Sequence, residues 1–219
     1  SAKRTVLSFL TPVHGITFKK FRFILNVQNT FNRSASCLET IKEEVKSNDT
    51  LKKDFRMTLK KDREGDSIFR HPDGFETRVL CKGADQIGSV RGEKFGAYRP
   101  DLIIVDDLED DELVKNPERR MDLQRLYDEA LIPAGGDTLK VITMGTILHD
   151  DSQMAKLIRT DMYSEYRKLK FRARIEKEGK MYSLWPEKWT VEELDKMEKD
   201  RPAVFAKEYQ NDPVSGMMS

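Results

Sequence analysis

One apolar run in this chain leads directly into a cluster of acids. Residues 102–105 read Leu-Ile-Ile-Val, and six of the seven residues from Asp106 to Glu112 are acidic. A short run of branched apolar residues without alternation is typical of a parallel strand that is buried on both faces. Open parallel sheets bind ligands at the carboxyl ends of their strands. The sequence therefore predicts a buried strand whose ligand-binding end carries carboxylates.

A second apolar run and an intervening helix extend this prediction to a fold class. Residues 140–144 read as another strand, and residues 117–130 between the two runs read as a helix. Strand, helix and strand in this order favour a right-handed crossover between adjacent parallel strands. We therefore predict an α/β fold, with a mainly parallel central sheet flanked by helices.

The remaining segments have weaker patterns. Residues 6–13 have helical spacing, with Gly15 as a stop and Pro12 as a defect in the pattern. Residues 48–74 are highly charged and weakly periodic. Strands are also predicted over 21–27, 77–81 and 166–171. A helix is predicted over 35–45, with a capping box at Ser36 and Glu39, and another after Asp151. A tail helix starts at a Thr190–Glu193 capping box and breaks at Pro202.

The acids after the 102–105 run have the arrangement of a Walker B segment in P-loop ATPases. In such a site the first carboxylate holds Mg²⁺ and a following carboxylate orients the attacking water. Asp106 is the candidate metal ligand, and Asp107 or Glu109 is the candidate catalytic acid. The alternative interpretation is a buried strand that leads into a solvated acidic loop.

The first residues resemble the end of a Walker A loop, which reads Gly-Lys-Ser/Thr and opens a helix. Here Ala2 takes the glycine position, Lys3 the lysine position and Arg4 the hydroxyl position, while Thr5 comes one residue late. Taken alone, this segment is better explained as an ordinary basic N-terminus.

Two further residues are candidates for catalysis. Arg91 lies between small residues, where a guanidinium could reach a phosphate. Thr146 follows the 140–144 strand, where a polar residue could sense the γ-phosphate. A solvated surface arginine and a routine strand exit are the alternatives.

Composition limits the other function classes. The net charge is +1, which neither demands nor excludes a nucleic-acid partner. Two cysteines make no disulfide framework, and the three histidines have no metal-ligand spacing. No apolar run approaches the roughly 20 residues of a membrane span, and a signal-peptide pattern is missing.

Taken in order, these segments resemble the large terminase subunits of tailed phages. The resemblance extends over most of the chain. It is carried by Ala2-Lys3, Asn29-Thr30, Arg91-Gly92, residues 100–107, Met144-Gly145-Thr146, residues 184–187 and residues 205–213.

The resemblance implies a P-loop NTPase of the type with an additional catalytic carboxylate. It implies Mg²⁺-dependent ATP hydrolysis that drives translocation of double-stranded DNA into a procapsid. The expected partners are double-stranded DNA, the portal protein, the small terminase subunit and further copies of the chain in a ring, with no membrane. The expected location is the cytoplasm of the bacterial host.

It also implies a role for each matched residue. Lys3 would contact phosphate, with Ala2, Arg4 and Thr5 in the same nucleotide loop, and Thr5 could replace the missing hydroxyl ligand. Asp106 would hold Mg²⁺, and Asp107 or Glu109 would orient water. Arg91 would be an arginine finger, and Thr146 would couple hydrolysis to motion.

The implied domain organisation is an ATPase motor domain over 1–183 and a linker over 184–219 that leads toward a nuclease domain. We expect no nuclease activity from this chain alone. We also expect weak ATP binding, because most of the phosphate-cradling loop would precede Ser1. Two rival functions stay open, namely a helicase-like motor and a non-catalytic assembly module with a degenerate nucleotide site.

Overall fold

The central feature of the computed structural model, which describes residues 4–213, is a six-stranded sheet. Its strands, in chain order, are β1 (Phe23–Gln28), β2 (Thr58–Arg63), β3 (Asp66–Arg70), β4 (Glu76–Gly83), β5 (Leu102–Asp106) and β6 (Lys140–Met144). The α-helices are α1 (Thr11–Thr17), α2 (Phe31–Ser47), α3 (Asp49–Phe55), α4 (Asp111–Lys115), α5 (Pro117–Leu126), α6 (Gln153–Arg159), α7 (Val191–Asp200) and α8 (Pro202–Val204).

The sheet is mainly parallel, as the sequence predicts. Its strand order is β2-β3-β4-β1-β5-β6, and the pairs β4–β1, β1–β5 and β5–β6 are parallel. The prediction that β5 and β6 are adjacent parallel strands is confirmed, with Asp106 opposite Met144 at their carboxyl ends. Every residue of β1 and β5 is buried, which explains why both strands are mostly apolar, with Asn26, Gln28 and Asp106 as buried polar residues.

Strands β2 and β3 lie in the charged stretch that gave no strand pattern. They form an antiparallel hairpin, and β3 pairs with β4. Most of β2 is exposed, so its sequence carries cross-strand ion pairs instead of apolar alternation, among them Lys60–Glu76 and Lys61–Asp66. The sequence does not predict β2 as a strand, because an exposed, charged edge strand has little hydrophobic periodicity.

The first helical segment is continuous through Pro12. A π-helical turn over Thr5–Leu10 leads into α1, and the helix ends at Thr17 rather than at Gly15. Pro12 has no N–H to donate to the Ser8 carbonyl one turn earlier. The thiol of Cys37 donates to that carbonyl instead, at 3.1 Å, and so ties this segment to α2.

Helix α2 begins four residues earlier than its predicted start at residue 35. Its N-cap is Thr30, whose hydroxyl accepts from the Arg33 amide, so the predicted Ser36–Glu39 box is wrong. The predicted apolar side is correct. Leu38, Ile41 and Val45 are buried in one core cluster with Ile16 of α1 and Ile104 of β5.

The chain divides into two compact units, residues 1–108 with 121–144 and residues 109–120 with 145–219. In the second unit the predicted strand over 166–171 is wrong, and the structure instead has a hairpin of β7 (Arg174–Lys177) and β8 (Lys180–Ser183). The Thr190–Glu193 capping box at the start of α7 is confirmed. The proposed boundary at 183/184 stays a prediction.

None of the helices within residues 4–213 is long and apolar enough to span a bilayer.

Asp101, just before β5, fixes the start of β1. Its carboxylate accepts from the backbone amides of Arg22 at 2.7 Å and Phe23 at 3.0 Å. We predict that Asp101→Ala lowers the free energy of unfolding by about 2–3 kcal/mol, because two partly buried amides lose charged acceptors. Urea denaturation measures this change. Asp137→Ala, in an exposed turn, is the control, and an equal effect of both substitutions would contradict this role of Asp101.

Candidate functional site

The candidate site lies at the carboxyl end of β5. Asp106 is the last residue of this strand, and its side chain is only 2% exposed. The next residue turns sharply, since Asp107 has a φ of 46° and its amide donates to the Met144 carbonyl at 3.0 Å. Aspartate tolerates this left-handed conformation better than most residues do. The two carboxylates therefore stand at the end of the parallel sheet, as predicted.

Two side chains from the first helical segment reach Asp106. Arg4 Nε lies 2.9 Å from Asp106 Oδ2, and the buried Ser8 hydroxyl donates to the same oxygen at 2.9 Å. Arg4 and Ser8 are four positions apart, so they lie on one side of the helix. A single oxygen of Asp106 thus receives two donors from consecutive turns.

Arg4 also contacts the second acid. Its Nη2 lies 2.5 Å from Asp107 Oδ2, so one guanidinium bridges both carboxylates. The hydrogen bond to Asp106 raises the pKa of the Arg4 guanidinium above its ordinary value, and burial opposes that shift. Arg4 is therefore a permanent positive charge between the two acids.

The other predicted members of the nucleotide loop are not part of this contact. Ala2 and Lys3 lie outside the described residues. Thr5 is exposed, and the hydroxyl that contacts Asp106 belongs to Ser8. Ser8 belongs to no motif of the sequence, and its spacing of four residues from Arg4 is the signal that points to a shared contact. The proposed roles of Lys3 and Thr5 stay predictions.

Glu109 has a structural contact of its own in the second unit. Its carboxylate accepts from the amides of Gln153 at 2.8 Å and Met154 at 3.0 Å, at the start of α6. The hydroxyl of Ser152 caps the same helix at the Ala155 amide. Burial raises the pKa of the Glu109 carboxyl, and the two backbone hydrogen bonds oppose that shift. Glu109 therefore satisfies amides at a helix N-terminus that have no partner within the helix.

Arg91 and Thr146 are the two remaining candidates for catalysis. Arg91 is exposed, and its guanidinium donates through Nε and Nη2 to the Glu129 carbonyl, with the Nε contact at 3.0 Å. Thr146 follows the end of β6 by two residues and belongs to the second unit. A role for Arg91 as an arginine finger and for Thr146 in coupling stays a prediction.

The donor set suits a hard divalent cation. Asp106, Asp107 and Ser8 offer oxygen atoms, which Mg²⁺ prefers. Residues 4–213 contain no group of three or more His, Cys, Asp or Glu side chains that could hold a metal. This is compatible with Mg²⁺, which usually takes one or two protein carboxylates and completes its shell with phosphate and water oxygens.

The sheet and its acidic edge define the class as an α/β domain with a candidate ligand site at the carboxyl ends of parallel strands. No protein-family model matches the chain, and a search of curated proteins gives no match. Among solved structures, it matches the ATPase domain of the Thermus phage P74-26 large terminase, with a TM-score of 0.53, 15% identity, and coverage of 93% of this chain and 81% of that chain.

A mutant form of the same domain matches with a TM-score of 0.54, at the same identity and coverage. The chain therefore has the fold of a phage large terminase ATPase domain.

The Ser8 hydroxyl can be tested against that of Thr5. We predict that Ser8→Ala lowers the free energy of unfolding by about 1–2 kcal/mol, because the buried Asp106 carboxylate loses a donor. Thr5→Ala, at an exposed position of the same helical turn, should change it by less than about 0.5 kcal/mol. Chemical denaturation of both variants gives the comparison. A larger loss for Thr5→Ala would contradict the assignment.

Proposed function

We propose that this chain is the ATPase motor of a viral DNA-packaging terminase and that it uses Mg²⁺-dependent ATP hydrolysis to move double-stranded DNA. The observation that carries the proposal is the buried Asp106 carboxylate at the end of β5, next to Asp107, in a domain with the terminase ATPase fold. The working form would be a ring of copies that binds the portal protein and the small terminase subunit, as the resemblance implies.

Asp106 and Asp107 would divide the chemistry between them. Asp106 would hold Mg²⁺, which neutralises charge on the β- and γ-phosphates when it is bound. Its burial supports this role, because a carboxylate in a poorly solvated position interacts strongly with a cation. Asp107 would orient the attacking water, because it directly follows Asp106 and its carboxylate pairs with the same guanidinium.

The contacts of Glu109 favour Asp107 as the catalytic acid. Both carboxylate oxygens of Glu109 accept backbone hydrogen bonds at the start of α6. Recruiting Glu109 to a water molecule would leave those two amides without their acceptor. Asp107 pairs with Arg4, whose side chain is half-exposed, and no backbone amide at a helix start depends on that pair.

One observation favours a rival function. Arg4 occupies both acids, as expected for an assembly module whose nucleotide site has lost its metal. Calorimetric titration of the full-length protein with ATP and Mg²⁺ separates the two functions. Binding that needs both ligands supports the ATPase, whereas the absence of binding supports the assembly module.

Substitution of the acids tests the assignment of roles in the full-length protein. Asp106→Ala should abolish ATP hydrolysis, because the metal loses its protein ligand. Asp107→Asn should abolish turnover and leave ATP binding largely intact, since a water-orienting carboxylate acts on the transition state. Steady-state phosphate release and nucleotide titration measure the two properties.

Glu109→Gln is the matched control for these variants. It should keep most of the activity and lose about 1 kcal/mol of stability, because one of the two oxygens that accept from the amides becomes an NH2 group, which cannot accept. An inactive Glu109→Gln together with an active Asp107→Asn would reverse the assignment of the catalytic acid. Normal hydrolysis by all three variants would mean that the acidic run is a solvated loop.

A further inference from the structure

The Arg4 guanidinium contacts both Asp106 and Asp107, the two acids that could bind a metal cation. Its Nε contacts Asp106 Oδ2 at 2.9 Å, and its Nη2 contacts Asp107 Oδ2 at 2.5 Å. The Arg4 side chain is 47% exposed and that of Asp107 is 39% exposed, whereas that of Asp106 is buried. A guanidinium presents several N–H groups in a fixed plane, and this geometry lets it pair with two carboxylates at once.

We propose that Arg4 is a resident cation that competes with a divalent metal for Asp106 and Asp107 in the nucleotide-free chain. The inference rests on the function proposed above for the identity of the metal, Mg²⁺, and it concerns how this site admits that metal. The sequence position supports it, since Arg4 stands where a Walker A loop has the hydroxyl residue that would assist metal binding.

Competition follows from the geometry around one oxygen. Asp106 Oδ2 already accepts from Arg4 and from Ser8. Mg²⁺ binds oxygen at about 2.0–2.1 Å, so a metal on this oxygen would lie within a few ångströms of the guanidinium. Two cations at that separation repel each other strongly in a partly buried site. A metal can take this oxygen only if Arg4 leaves.

Arg4 cannot release the acids by losing its proton. Arginine stays charged throughout the physiological pH range. The side chain leaves most readily for another anionic partner, because water replaces a charged hydrogen bond less well than an anion does. Nucleotide phosphate is such a partner, because guanidinium pairs with phosphate oxygens in the same bidentate manner. The metal and the nucleotide should therefore bind together, with Arg4 moving from carboxylate to phosphate.

Binding of Mn²⁺ to this chain without nucleotide tests the proposal, with electron paramagnetic resonance to count the free ion. The native chain should bind Mn²⁺ weakly. Arg4→Ser should bind it roughly tenfold more tightly or better, because the competing charge is gone. Arg4→Gln, which keeps a long polar side chain, should show the same gain if Arg4→Ser fails to fold. Adding Asp106→Asn to either variant should remove the gain.

Arg63→Ser is the charge-matched control. Arg63 is exposed at the end of β2, so its replacement changes net charge equally and should leave Mn²⁺ affinity unchanged. An unchanged affinity in both Arg4 variants, or an equal gain in Arg63→Ser, would overturn the proposal.

The Mn²⁺ binding test can succeed or fail independently of the test of ATP hydrolysis. A gain in Mn²⁺ affinity in Arg4→Ser that Asp106→Asn removes supports the competition even if the full-length protein hydrolyses no ATP. Conversely, a native chain that binds Mn²⁺ as tightly as Arg4→Ser refutes the competition even if the full-length protein is an active ATPase.

Discussion

The site depends on the hydrogen bonds that offset the negative charge of the buried Asp106 carboxylate. A buried carboxylate costs several kcal/mol unless charged and polar donors offset the loss of water. Arg4 and Ser8 supply these donors from one side of the first helical segment. They join that segment to the end of β5, while the Cys37 thiol joins it to α2. The position of the first helix is therefore set by electrostatics at the sheet edge as well as by apolar packing.

The same compensation limits what the site can do. Asp106 Oδ2, which accepts from Arg4 and Ser8, is one of the two carboxylate oxygens with which Asp106 could bind a metal. The contacts of Arg4 and Ser8 that stabilise the nucleotide-free chain therefore disfavour the metal-bound state. An anion that pairs with Arg4 would shift the equilibrium toward that state. On this account nucleotide binding both supplies the substrate and moves Arg4 away from Asp106 and Asp107. In a motor, this exchange would link occupancy of the site to the position of the first helix.

The sequence predicts local features of this chain better than long-range contacts. Strands β5 and β6 and their adjacency follow from two apolar runs with a helix between them, and Asp106 follows from its place at the end of β5. Strands β2 and β3 could not be predicted, because ion pairs with neighbouring strands replace the apolar alternation that marks a strand. The contact of Ser8 with Asp106 and the capping by Glu109 join residues that are 98 and about 44 positions apart. Only the packed fold brings such residues together.

The proposed ATPase activity depends on Asp106 as the protein ligand of a metal–nucleotide complex. Pulsed electron–nuclear double resonance on the full-length protein, with Mn²⁺, a slowly hydrolysed ATP analogue and ¹³C-carboxyl-labelled aspartate, can detect this ligand. We expect coupling of Mn²⁺ to phosphate ³¹P and to an aspartate ¹³C, with the ¹³C coupling absent in Asp106→Asn. Phosphate coupling without ¹³C coupling, or a ¹³C coupling that persists in Asp106→Asn, would contradict this role of Asp106.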